Sequence, residues 1–238
     1  MQAMLKVPAW LRDCLFALIA GQAAALSFPP SPNPYGMLLG LAAITFYLDA
    51  RSPARVFGIG WLFGISWHFG ALNWISQAFL VPMPAMGAAS LLPVLALAGA
   101  FALYIALAFY LWRRFWPGAN TPSVGARLGL AGVLSISEYA YGHLFTGFAW
   151  DLTALAFVET SLINTGAIFG AYGVGLLALA GAITASGALR QWTVQRNLPQ
   201  REAALAAGCI ALLAAGFLYE QSPSKAATPE AGAITVRM

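Results

Sequence analysis

The chain is a succession of long apolar runs separated by short polar breaks, and this alternation predicts helices of membrane length rather than the half-polar helices of a soluble fold. Seven runs can be drawn, at residues 10–27, 35–48, 56–81, 86–112, 125–145, 153–189 and 202–218. One straight crossing takes about 20 residues at about 1.5 Å each. The second run is short for this and the sixth is too long, so irregular ends, tilt or a break are expected in both. The prolines between Pro29 and Pro34 end the first run, because proline has no N–H to donate and restricts the residue before it. That first run could also be read as a signal peptide preceded by Lys6 and Arg12. The six runs after it, and the poor processing site SFPPSPNP, favour an anchored helix. The expected fold is all-α, a polytopic membrane helical bundle with about seven transmembrane helices.

Composition strengthens this reading. Hydrophobic residues make up 60% of the chain and charged residues 8%, against about a quarter charged in soluble domains. Mean hydropathy is +0.74. The net charge of +4 is not a nucleic-acid signal, because the basic residues are dispersed between apolar runs rather than gathered into a patch. Their order is informative instead. Lys6 and Arg12 lie before and at the start of the first run, Arg51 and Arg55 follow the second, Arg113 and Arg114 follow the fourth with Arg127 at the start of the fifth, and Arg190, Arg196 and Arg201 follow the sixth. The connections at 28–34, 82–85 and 146–152 contain none. This alternation predicts a cytoplasmic N-terminus and an extracytoplasmic tail after Leu218. Residues 1–219 are expected to form the transmembrane domain and residues 220–238 a polar linker ending in ITVRM, an alternating run of the kind that begins a strand.

Candidate chemistry lies in the third, fifth and sixth runs. In the third, Gly60, Gly64 and His68 recur every four residues, with Asn73, Trp74 and Gln77 beyond. They can form a packing stripe, or a lipid-facing cleft lined by Trp61, Trp67, His68 and Trp74. In the fifth, Glu138 lies eleven residues beyond Arg127, about 16 Å along a helix, where an ionised carboxylate must be paired, hydrated or protonated. Its candidate partners are His68, His143, Tyr139, Tyr141, Asn73, Gln77 and Asn164. A substrate or interface role and a structural hydrogen bond both remain open for it. After it comes GHLFTGFAWD, residues 142–151, read either as a tight interfacial hairpin or as a partly embedded loop beside a lipid groove. Asp151 is expected near the outer surface, where it costs little and could cap the next helix. Gly166 and Gly170 suggest a close-packing step, and four glycines between 166 and 175 suggest a kink. No metal or cofactor is expected, since His68 has no second ligand at useful spacing and no P-loop, GxGxxG, HExxH or GxSxG occurs. Cys14 and Cys209 read as ordinary buried residues.

FGIGWLFGISWHFGALNWI, SEYAYGHLFTGFAW and GAYGVGLL together resemble the membrane portion of bacterial apolipoprotein N-acyltransferases, over about Phe28 to Met238. The family's acid, aromatic and FTGFPW pattern falls on Glu138, Tyr139, Phe145, Thr146, Gly147, Phe148, Ala149 and Trp150. Tyr139 stands where tryptophan is usual, Ala149 where proline is, and Tyr141 where an arginine is common. The resemblance implies an inner-membrane enzyme with eight spans and a periplasmic nitrilase-like domain carrying a Glu, Lys and Cys triad. Its cysteine takes an acyl chain from a phospholipid, generally phosphatidylethanolamine, and delivers it to the α-amino group of a diacylglyceryl apolipoprotein. ITVRM matches the strand that opens the nitrilase-like domain, and no triad residue carries over. On this reading residues 1–238 alone hold lipid or dock but do not form the thioester. A stand-alone membrane scaffold or small transporter is the alternative, although no convincing internal repeat supports a transporter.

Overall fold

Helix boundaries fall where the sequence interrupts the backbone. In the computed structural model, which describes residues 8–29, 33–48, 51–117, 123–145, 147–196 and 199–220, α1 (Ala9–Ala25) follows Pro8, while α2 (Pro34–Leu48) and α3 (Pro53–Leu72) both begin on proline. Proline fits a first helical position because its missing N–H would have no partner there anyway. The third apolar run does not remain one helix. Asn73 Nδ2 donates to the Gly70 carbonyl at 2.6 Å, so a side chain competes for the backbone, and a 3-10 turn (Asn73–Ile75) separates α3 from the short α4 (Ser76–Leu80).

The 3-10 segment Pro84–Ser90 leads into α5 (Leu91–Phe115). Ser123 Oγ accepts from the Ala126 N–H at 3.3 Å and caps α6 (Val124–His143). The surplus length of the sixth run is absorbed as expected, by irregular structure: 3-10 turns at Thr153–Phe157 and Ser161–Thr165 precede α7 (Gly166–Gln195). Gly170, at φ 67° and ψ 173°, breaks α7 near its start, a conformation that L side chains resist. It is a kink rather than a packing step, for a methyl added at Gly170 would meet nothing within 4 Å. α8 (Gln200–Glu220) closes the described chain.

The described residues are all-α. By length and apolarity, three stretches among them suffice to cross a membrane: Pro84–Phe115, Ser161–Val194 and Gln200–Leu218. That is fewer than seven, because α1 and α2 have 17 and 15 residues and because α3 and α6, though 20 residues each, are made less apolar by Arg55 and His68 and by Arg127, Glu138 and His143. Neighbouring contacts close a ring in the order α1, α3, α5, α6, α7, α2, with α8 outside against α7 and the Ser161–Thr165 turn. The glycine stripe of α3 faces α5: a methyl on Gly64 would lie 2.8 Å from Ala102 Cβ, and one on Gly60 would lie 2.8 Å from Phe109 Cδ2. Phe63, Trp67, Phe109, Leu41, Leu134 and Leu179 fill the ring.

One end of the ring holds an ion network. Asp13 of α1 accepts from Tyr47 Oη at 2.5 Å and from Arg55 Nε, with Arg51 3.5 Å away. Arg51 also lies 3.9 Å over the Tyr47 ring, and Arg113 Nε donates to the Arg51 carbonyl at 2.7 Å. These contacts join α1, α2, α3 and α5 at the arginine-bearing end.

Candidate functional site

Among the described residues, the buried acids at the opposite end, Glu138 and Asp151, are paired with neither arginine nor lysine. Glu138 sits on the face of α6 that turns into the ring and is buried. Past His143 the helix stops: Leu144 leaves helical geometry, Phe145 adopts φ 57° and Gly147 φ 70°. The Gly147 N–H then donates to the Leu144 carbonyl at 2.9 Å and the Phe148 N–H to the Tyr141 carbonyl at 3.0 Å. This folds the chain back over the end of α6 and directs residues 151–153 into the ring.

Two contacts then fasten the segment. The Thr153 N–H donates to Glu138 Oε1 at 3.0 Å, and the Thr153 hydroxyl donates to the same oxygen. Asp151 Oδ2 accepts from His68 Nδ1 of α3, and both side chains are fully buried. A buried polar group without a partner is strongly destabilising, so these pairings tie the rim segment to α3 and α6 at once.

The residues singled out in the sequence separate into two sets. Inside are His68, Glu138 and Tyr141, whose ring lies 5.9 Å from His68, 5.7 Å from Phe101 and 6.0 Å from Tyr104. Phe148 is half-buried, its ring tilted against that of Phe101 with centroids 4.8 Å apart. On the rim, Tyr139 and His143 stack at 4.0 Å, with the Tyr172 ring 5.3 Å from Tyr139 and its Oη 3.3 Å from His143 Nδ1. Trp74 and Trp150 form an exposed pair at 5.8 Å, and Phe145 is 97% exposed. Thr146 lies outside the described residues, as do residues 221–238.

Several expectations are corrected. Asp151 is not a surface helix cap but a buried partner of His68. The partner of Glu138 is Thr153 rather than any of the seven candidates, and Asn73 and Gln77 are exposed. The supposed tryptophan cleft is not one surface, since Trp67 and His68 are buried while Trp61 and Trp74 face outward. Thr153 and Tyr172 were missed because neither carries a charge that would mark it as a partner for a membrane acid. Among the described residues, no group of three His, Cys, Asp or Glu side chains is arranged to hold a metal ion.

Residues 20–184, which include every residue of both fastening contacts, match the family described as apolipoprotein N-acyltransferase N-terminal domain. The chain belongs to this family. An apolipoprotein N-acyltransferase of Caulobacter vibrioides is 36% identical, aligned over 70% of this chain and 32% of that protein. The Rhodopseudomonas palustris enzyme is 33% identical over 72% and 32%, and that of Bordetella bronchiseptica 31% identical over 91% and 42%. The chain thus spans about a third to two fifths of the length of these curated relatives. Family membership and the long apolar helices together make it a multi-pass inner-membrane protein.

Proposed function

We propose that this chain is the membrane portion of an enzyme that moves an acyl chain from a phospholipid, generally phosphatidylethanolamine, to the α-amino group of a diacylglyceryl apolipoprotein. It crosses the membrane seven times, with the N-terminus cytoplasmic and the tail after Leu218 periplasmic. Residues 1–219 form the transmembrane domain, and 220–238 lead into a nitrilase-like domain that performs the transfer. Covalent acyl transfer needs a thiolate, a base and oxyanion stabilisation. The described part of the chain has Cys14 and Cys209 in helices, while Lys6 and Lys225 lie outside it.

The observation that carries this reading is the rim itself. Residues 147–157 are fastened by Glu138 and His68 beneath an exposed set of aromatic side chains, Tyr139, His143, Phe145, Trp74 and Trp150. Aromatic residues favour the zone between hydrocarbon and water, where a phospholipid headgroup and the base of a periplasmic domain would meet. Phe145 is notable there, because a bulky residue at positive φ is strained and this one is not buried to offset it.

The test is complementation. Residues 1–238, alone and joined to a nitrilase-like domain and last helix from a relative, are expressed in cells depleted of their own N-acyltransferase. Mass spectrometry of a reporter lipoprotein is expected to show N-acylation only for the joined form. N-acylation by residues 1–238 alone, or none from a joined form that reaches the membrane, would overturn the proposal.

A further inference from the structure

A cavity of about 10 Å³ lies inside the helix ring, just below the fastened rim. Leu41, Phe63, Ile105, Leu134 and Leu179 wall part of it, and Trp67, Ser137, Glu138 and Tyr141 complete the lining. These last four are each more than nine-tenths buried. Trp67 Nε1, Ser137 Oγ, Glu138 Oε2 and Tyr141 Oη have no hydrogen-bond partner in the protein. Thr153 takes Glu138 Oε1, and a methyl added at Gly175 of α7 would be 3.1 Å from Oε2, so that side is closed as well.

We propose that this cavity is an internal hydration site holding one ordered water that joins α3 to α6. Its volume is close to the minimum that admits one buried water, and such waters make about three hydrogen bonds. The donors and acceptors balance. Indole N–H can only donate, a carboxylate oxygen can accept, and the two hydroxyls can do either. One water accepts from Trp67 Nε1 and Tyr141 Oη and donates to Glu138 Oε2 and Ser137 Oγ, which uses all four of its bonding directions. The carboxylate is then held on both oxygens, one by the rim and one by the water. Glu138 acts as a positioning residue that links the rim to the interior of the bundle.

A density map of the full chain in lipid nanodiscs, fine enough to show ordered waters, tests this directly. A single peak about 2.7–3.2 Å from Trp67 Nε1 and from at least two of the other three atoms is expected. Well-defined side chains without that peak, or a direct Tyr141 Oη bond to Glu138 Oε2, would overturn the proposal. A double-mutant cycle gives a second measurement. Trp67→Phe and Ser137→Ala remove groups that share no hydrogen bond, and each is expected to lower the thermal midpoint by about 2–4 °C. The double variant should lose clearly less than the sum, because both changes release the same water. Strict additivity would count against a shared water.

Discussion

The two ends of the helix ring bury acids in opposite ways. At the arginine-bearing end, Asp13 is surrounded by Arg51, Arg55 and the Tyr47 hydroxyl, and the Arg55 side chain remains 43% exposed. At the rim end, Glu138 and Asp151 are met by Thr153 and His68. Paired charges near water exchange one set of favourable contacts for another and add little net stability. An acid removed from bulk water depends on each individual partner, because no free solvent can take the place of a lost one. The first end is a redundant network, whereas the second is a pair of single attachments on a segment between helices. Damage at the second should propagate to the placement of residues 147–157.

The sharpest way to break this contrast is to remove one partner of the fully buried pair. Asp151→Ala leaves His68 unpaired in the interior and is expected to destabilise the protein by about 3–5 kcal/mol, read as a loss of monodisperse protein on heating in detergent. His68→Phe combined with Asp151→Leu should recover much of that loss; a double variant as unstable as Asp151→Ala would show that packing, not desolvation, dominates. Thr153→Val is the milder test. It removes the hydroxyl donor and keeps the backbone N–H, for an expected loss of about 1–2 kcal/mol, together with lower N-acylation in a joined enzyme. At the other end, Arg55→Ala should produce a shift of the thermal midpoint too small to resolve, and less in high salt, because Asp13 keeps Arg51 and Tyr47. A loss as large as that of Asp151→Ala would remove the contrast between the ends.

Much of the bundle was legible along the chain. Apolar runs and prolines located α1, α2, α5, α6 and α8 closely, and the excess of the sixth run announced its irregular start and the kink at Gly170. The break after Leu72 was not, since it depends on one Asn73 side chain bonding its own backbone. The site was legible in its acid and in its rim motif but not in their pairing. His68 and Asp151 are 83 residues apart, and no local pattern joins them. Asp151 looked superficial because it closes an arginine-free connection beside Trp150, a residue suited to the interface, yet the turn through Phe145 and Gly147 sends these successive side chains to opposite destinations. Thr153 escaped because a search for a charge partner passes over a neutral hydroxyl and an N–H.

Buried pairings at Glu138 and Asp151 hold the rim segment in place. Amide hydrogen exchange in the full chain, compared between the parent and Glu138→Ala, tests this most directly. Exchange across residues 151–157 is predicted to accelerate by about tenfold or more, while residues 9–25 around Asp13 stay unchanged. Unchanged exchange at 151–157, or an equal rise at both ends, would show that Glu138 does not hold the segment.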